Sequence, residues 1–208
     1  AGMMNGITSP SRPWFRLRLP NFDDASNKEA RMWLDEVARR MLLVMAESNF
    51  YNGLAVMYLD LVIFGTSAML IYEDYESVIR CYNPNLGEFY ICNSERLAVN
   101  TFARSFRMSA AQMEARWGKE ALSQQVQSAL QQGGAQLQAE FEICHLIEPN
   151  DTGDKLVPKR FKYRELYWEA AASAGQVLSA AGYNELPGIF PRYELSGNDA
   201  YGTCPAMD

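Results

Sequence analysis

The chain has 208 residues, of which 48% are hydrophobic, 21% charged and 12% aromatic, a composition typical of a folded globular protein and unlike that of a disordered chain. Its net charge is −6 and its Lys and Arg residues form no dense run, which argues against a surface that grips nucleic acid through phosphates. Length and composition therefore predict one sizeable domain or two small ones with a buried core.

The first predicted element is a strand at residues 14–19. It follows a turn-rich start that contains Pro10 and Pro13. Phe15, Leu17 and Leu19 alternate there with more polar neighbours, which is the period of a half-buried strand.

Two helices are predicted next, and they meet at Asn49. The first runs from Ser26 to Ser48, because apolar residues recur every three or four positions and Asp23, Asp24 and Ser26 offer caps before it. The residues that recur at this helical spacing are Ala30, Trp33, Val37, Met41, Val44 and Ser48.

The second helix is predicted from Phe50 to Phe64 and should end at Gly65. A membrane span needs about 20 continuous apolar residues. Glu47, Asn49, Asn52 and Asp60 interrupt this stretch, so we interpret it as a buried helix pair and expect no membrane association. Asp60 fits a partnered carboxylate better than a functional one.

Residues 67–93 change to the period of strands, with three apolar runs separated by turns. We expect an antiparallel meander. A hairpin around Leu86 would place Cys81 and Cys92 nearly opposite each other on neighbouring strands. Because the four cysteines form no CxxC pair, we expect free thiols in a reducing compartment and no zinc site.

A further strand at residues 100–109 precedes a second predicted helix pair near residues 110–131. Ser109 stands in the capping position, with Gln112 three residues later as in a capping box. The second helical piece runs from Glu120 to Leu130 and ends at two glycines, Gly133 and Gly134.

The last third contains several predicted strands. Glu140 and Glu142 lie two residues apart and share a strand face, so they could serve glycoside chemistry or hold a divalent metal. Two acids on the wet face of a strand is the simpler interpretation. His145 is the only histidine, and we interpret it as a strand residue. The sequence contains none of the common nucleotide-binding or hydrolase motifs.

Four segments, in this order, resemble the head-to-tail connector, or portal protein, of T7-like short-tailed bacteriophages. They are "GITSPSRPWFRLRL", "NFYNGLAVMYLDLVIFGTSAMLIYED", "FRMSAAQMEARWG" and "RYELSGNDAYGTCPAMD". The resemblance covers residues 6–208. It implies a dodecameric ring of copies at one capsid vertex that contacts capsid, terminase and tail proteins. DNA passes through such a ring without sequence recognition, and the subunit has no catalytic site or cofactor.

The resemblance also implies a fold class and a division of the chain. We expect an α+β fold, with an N-terminal helix pair packed on an antiparallel, barrel-like (SH3-like) wing module into which a further helical pair is inserted. The expected boundaries are 1–66 for the N-terminal strand and helix pair and 67–208 for the wing module. The chain would be a fragment that stops before a channel-lining stem, and Cys204 departs from the family's usual small residue before Pro205.

Two hypotheses from different classes remain at this point. The first is a structural subunit of the virion, assembled in the bacterial cytoplasm, in which Asn49, Phe50, Tyr51, Gly65 and Thr66 form a packed hinge between helices and strand.

The second hypothesis is a small metal-dependent hydrolase or nuclease that uses Glu140, Glu142, His145 and Asp151. It requires these four side chains to converge in one pocket. A plain binding module with a groove in the sheet is a third interpretation, which the sequence does not separate from the structural subunit.

Overall fold

The computed structural model describes residues 2–19, 28–151, 153, 155–172 and 176–207. The helices are α1 (Gly2–Ile7), α2 (Lys28–Glu47), α3 (Phe50–Phe64), α4 (Ala110–Trp117) and α5 (Gln124–Gln132). The strands are β1 (Met69–Asp74), β2 (Val78–Tyr82), β3 (Phe89–Asn93), β4 (Val99–Ser109), β5 (Glu140–Pro149), β6 (Tyr163–Glu169), β7 (Ser179–Tyr183) and β8 (Gly188–Ile189). Short 3₁₀ turns cover Lys119–Ala121 and Gly134–Gln138. The α+β prediction is confirmed.

The chain divides into two compact units. The first unit contains residues 1–84, 187–196 and 201–208, and the second contains residues 85–186 and 197–200. Chain segments far apart in sequence therefore complete the first unit. The predicted division at residue 66 into a helix pair and a wing module stays a prediction.

The first unit is built on a three-stranded antiparallel sheet in the order β2-β1-β8. Helix α3 packs on β1 and β2, and the core they form comprises Phe50, Leu54, Met57, Met69 and Cys81. Burying one apolar side chain of this size stabilises the fold by about 1.5–3 kcal/mol. This contact, more than helix propensity, holds α3 in place.

The second unit is a five-stranded antiparallel sheet in the order β3-β4-β5-β6-β7, so each strand pairs with its neighbour in sequence. Helices α4 and α5 lie between β4 and β5 along the chain, as predicted, and cover one face of the sheet. The core consists of Ala110, Met113, Leu122, Val126, Ala129, Ile143, Tyr167 and Leu178. Among the described residues no ladder joins β3 to β7, so barrel closure is not seen.

Three predictions of local structure are wrong. Residues 14–19 belong to no strand, and the turn-rich start contains the helix α1. The segment at 14–19 is held by Trp14, whose indole N–H donates to Tyr51 Oη at 3.1 Å. Among the described residues no strand pairs with residues 14–19, so their alternating pattern does not reflect a strand. The Trp14 side chain packs against the first unit instead.

The predicted hairpin between β2 and β3 is also wrong. Cys81 pairs with Ile71 in one sheet, and Cys92 pairs with Thr101 in the other. All four cysteines are free thiols, as expected. The second helical piece is split: a 3₁₀ turn at Lys119–Ala121 is followed by α5, because Ser123 Oγ caps the new helix by accepting from the Val126 N–H at 3.5 Å.

The first helix of the predicted pair is described only from Lys28, so the proposed caps Asp23, Asp24 and Ser26 lie outside the described residues. The second helix spans Phe50–Phe64 as predicted. Within the described part of the chain, no helix is both long enough and apolar enough to cross a membrane.

Candidate functional site

The junction of α2 and α3 is built around Asn49, but its side chain does not cap α3. Its amide reaches β2 instead: Nδ2 donates to the Cys81 carbonyl and Oδ1 accepts from the Cys81 N–H, both at 2.8 Å. The Phe50 N–H is bound by Ser48 Oγ at 3.2 Å. Asn49 thus ties the helix junction to a strand 32 residues later.

Phe50 and Tyr51 anchor the start of α3 in the core of the first unit. Phe50 is 5% exposed, and its ring meets the Tyr51 ring edge-on at a centroid distance of 5.6 Å. Tyr51 Oη accepts the hydrogen bond from Trp14 described above. Both aromatic side chains therefore anchor the N-terminal end of α3 in this core.

Gly65 ends α3 in the left-handed conformation with φ of 71°, and its N–H donates to the Leu61 carbonyl at 3.1 Å. The next residue, Thr66, is 1% exposed; its Oγ1 accepts from the Gly202 N–H at 2.7 Å. The Gly65 carbonyl accepts from the Tyr193 N–H at 2.8 Å. Segments near the end of the sequence therefore clamp the junction between α3 and β1. The hinge itself stays a prediction.

Asp60 lies in α3, and its carboxylate has a hydrogen-bond partner, as expected. Its Oδ2 accepts from Ser67 Oγ at 3.0 Å. Burial raises the pKa of the Asp60 carboxyl above its ordinary value, and the Ser67 hydrogen bond opposes that shift. The contact joins the last turns of α3 to the chain that leads into β1.

The outer side of α3 is apolar as well as its inner side. A surface helix normally carries polar residues on its outer face. Here large apolar side chains are 42–59% exposed, namely Val56, Leu59, Val62 and Ile63. We call this set the α3 outer face.

The four residues of the hydrolase hypothesis are not brought together. Strand β5 alternates, so Glu140 and Glu142 lie on one face and His145 on the other. Glu142 accepts from Ser105 Oγ at 2.5 Å, while Glu140 lies 3.8 Å from Arg107. Asp151 is exposed beyond the end of β5. The prediction of a shared pocket is therefore wrong.

Instead, His145 belongs to a buried hydrogen-bond cluster inside the second unit. Arg104 Nε donates to His145 Nδ1 at 3.0 Å, so the ring proton resides on Nε2. Nε2 then donates to Glu165 Oε1 at 2.7 Å. Glu165 also accepts from the hydroxyls of Tyr167 and Tyr183, at 3.3 and 2.9 Å. Each of these polar groups is satisfied within the sheet.

The electrostatics of this cluster keep the imidazole neutral. Burial lowers the pKa of His145 below its ordinary 6.5, and the charges of Arg104 and Arg116 act in the same direction. The hydrogen bond and charge of Glu165 oppose the shift. The ring stacks on Tyr167 at a centroid distance of 4.1 Å, and His145 is 1% exposed, so the imidazole is shielded from solvent.

Sequence reasoning missed this cluster, although a signal for it was present. Arg104 stands between Phe102 and Phe106 at alternating positions, so a charged side chain falls on the apolar face of the predicted strand. A charge in that position requires a buried partner, and the one histidine is the natural neighbour to consider.

No metal site emerges from the candidates. The residues that the structure describes contain no group of three or more His, Cys, Asp or Glu side chains able to hold an ion. Glu140 lines a groove of about 470 Å³ between α5 and the start of β5, but its neighbours there are mainly glutamines and alanines. That set offers no metal ligands beyond the one carboxylate.

Comparison with known proteins identifies the family. The sequence matches the family of bacteriophage head to tail connecting proteins over residues 1–208. It is 39% identical over 210 residues to the portal protein of Salmonella phage epsilon15, and this alignment covers 100% of the chain and 37% of that protein. It is 36% identical over 212 residues to the probable portal protein of Bordetella phage BPP-1, covering 100% of the chain and 38% of that protein.

The chain therefore spans well under half the length of both relatives, while both alignments include all of it. The family match and the two relatives agree with the resemblance found in the four sequence segments. The chain belongs to the bacteriophage head-to-tail connecting protein family.

Proposed function

We propose that this chain forms part of a structural subunit of a phage portal, a ring of copies at one capsid vertex through which DNA is packaged and ejected. The subunit carries out no catalysis and binds no cofactor. Its partners are copies of itself, the capsid, terminase and tail proteins, and it resides in the virion after assembly in the host cytoplasm. The observation that carries the proposal is the match of the whole chain to two portal proteins.

The roles of the candidate side chains support a structural subunit. Asn49 binds a strand backbone, Thr66 binds a distant backbone segment, and His145 sits in a buried cluster. Each of these three side chains uses its polar groups in hydrogen bonds that stabilise the fold. The net charge of −6 also favours a conduit along which DNA slides, because strong basic contacts would hold it.

The α3 outer face supports assembly from copies. Monomeric proteins rarely leave a contiguous row of large apolar side chains in water, and such rows usually mark interfaces. A ring subunit needs self-complementary surfaces that repeat from copy to copy. We therefore assign the α3 outer face to the contact between neighbouring copies.

The function is tested by electron microscopy of the complete protein. We expect closed rings with a central hole, and a protein that forms none contradicts the proposed function. The assigned surface is tested separately by L59E together with V62E, which should reduce the fraction of ring particles at least about tenfold, since buried unpaired charges destabilise an interface.

A matched control adds the same two charges elsewhere. Q131E with Q132E changes an exposed part of α5 and should leave the ring fraction unchanged. Rings that persist in the α3 variant would remove the assigned surface and leave the proposed function intact. Circular dichroism verifies that both variants are folded.

A further inference from the structure

Strand β2 is an edge strand, because the sheet order β2-β1-β8 gives it one neighbour. The backbone groups on the free side of such a strand would ordinarily be open to pairing with another chain. Both backbone groups of Cys81 bond to the Asn49 side chain, so they point away from β1. Ile79 lies two residues earlier, and its N–H and C=O point to the same free side.

Asn49 closes the Cys81 half of this edge. A carboxamide carries one carbonyl acceptor and an N–H donor, the same groups that a peptide unit of a neighbouring strand would present. Its two bonds to Cys81, each 2.8 Å, have the lengths of ordinary ladder bonds. The side chain thus occupies the place of an added strand.

The turn at residues 77–79 closes the Ile79 half. The Ile79 N–H donates to the Ser77 carbonyl at 2.8 Å. The single hydroxyl proton of Ser77 faces two acceptors, the Ile79 carbonyl at 2.9 Å and Asp74 Oδ2 at 2.8 Å. The first bond encloses Val78, whose φ is 67°. This is a γ-turn of the rare, positive-φ kind, strained for a β-branched residue. The γ-turn directs the Ile79 N–H toward the Ser77 carbonyl of its own chain, so this N–H is not available to a neighbouring strand.

We propose that Asn49 and the Ser77–Ile79 turn form an edge guard that prevents another strand from pairing with β2. The sequence of β2, Val78–Tyr82, is rich in β-branched and aromatic residues, and Val78 and Tyr82 are 61% and 40% exposed. Such a strand with open backbone groups is a self-association hazard. The proposal does not depend on the portal function, since it concerns only the first unit.

The test compares N49A with a matched control, N83A. Asn83 is a half-buried amide of the same unit whose Nδ2 donates to the carbonyls of Gly53 and Ala68, at 3.2 and 3.3 Å, and it bonds no edge group of β2. Hydrogen exchange followed by mass spectrometry reports on the Ile79 and Cys81 amides. Sedimentation velocity over a range of concentrations reports on self-association.

In N49A we expect the Cys81 amide of the dilute protein to exchange about five- to tenfold faster than in the wild type, because it has lost its acceptor. At high concentration N49A should form additional oligomers that restore this protection. N83A should show neither effect. Because N49A also loses a link to α2, S77A serves as a milder second variant, and it should increase self-association in the same direction.

Three results would overturn the edge guard. The first is a Cys81 amide that exchanges equally fast in N49A and wild type. The second is self-association of N83A as strong as that of N49A. The third is self-association at the wild-type level in both N49A and S77A. Any of them would show that the bonds at this edge serve only the internal stability of the unit.

Discussion

At the scale of single residues, Gly65 shows how one position combines two requirements. Its φ of 71° lies in the left-handed region, where a side chain destabilises the backbone by about 1–2 kcal/mol. A Cβ at this position would lie 2.5 Å from the Gly202 carbonyl oxygen. The requirement for a left-handed helix end was predictable from sequence, but the close approach of Gly202 was not.

Replacing Gly65 with Ala should therefore lower the free energy of unfolding by more than about 2 kcal/mol, since the conformational penalty and the clash add. Val should lower it further. Urea unfolding measures the change. G6A is the control. Apart from the backbone of α1 itself and the adjacent residues, no described atom lies within 4 Å of a Cβ added at Gly6, and helix propensity favours Ala there. Equal stability of G65A and wild type would contradict the described helix end.

At the scale of elements, α4 illustrates what local sequence decides. Ser109 Oγ accepts from the Gln112 N–H at 3.3 Å, and Gln112 Oε1 accepts from the Ser109 N–H at 3.0 Å. The helix has 8 residues, so satisfying two free N–H groups matters to it. The predicted capping box is confirmed. It was predictable because both partners lie three residues apart.

We expect S109A to lower the free energy of unfolding by about 1 kcal/mol through loss of this cap. Amide hydrogen exchange at the start of α4 should also accelerate. Hydrogen exchange locates this effect at α4, whereas thermal unfolding reports only on the whole protein. The matched control is S128A, where Ser128 Oγ donates to the Gln124 carbonyl inside α5 at 2.7 Å. Ala is favoured in a helix interior, so S128A should be neutral or slightly stabilising. A loss of stability in S128A as large as in S109A would count against the cap.

Strand pairing, unlike the capping of α4, is not decided by local sequence. The turn between β2 and β3 looked like a hairpin, yet β1 takes β2 and β8 as its neighbours, with Leu70 opposite Gly188. No local pattern separates these pairings, because any two strands with matching alternation can pair. The choice depends on which pairing also buries α3 against the sheet.

At the scale of the whole molecule, the buried cluster links stability to pH. Between the lowered pKa of folded His145 and the ordinary value of 6.5, the unfolded chain binds a proton that the folded chain does not. The stability from the neutral imidazole is thus fully present above pH 6.5 and decreases as pH falls below it. The groups facing the ring are Arg104 from β4, Glu165 and Tyr167 from β6, and Arg116 from α4.

We expect the thermal midpoint of wild type to fall between pH 7 and pH 5 more steeply than that of H145Q, which cannot take up this proton. H145Q should be less stable than wild type at pH 7, because the stacked ring and its two hydrogen bonds are lost. Scanning calorimetry at several pH values gives both midpoints. Parallel pH profiles for the two proteins would show that His145 does not carry the acid sensitivity.

The sequence by itself determined the periodic helices, the capping box, the glycine at the end of α3, the α+β class and the family resemblance. These rest on contacts within a few residues or on direct similarity of segments. Only the tertiary structure decided that Asn49 binds β2, that the last segments clamp Thr66, and that Arg104 and Glu165 are the hydrogen-bond partners of His145. The physical reason is that these outcomes depend on partners tens to more than a hundred residues away. Which partner is chosen follows from how the whole unit buries its apolar surface, and no local pattern carries that information.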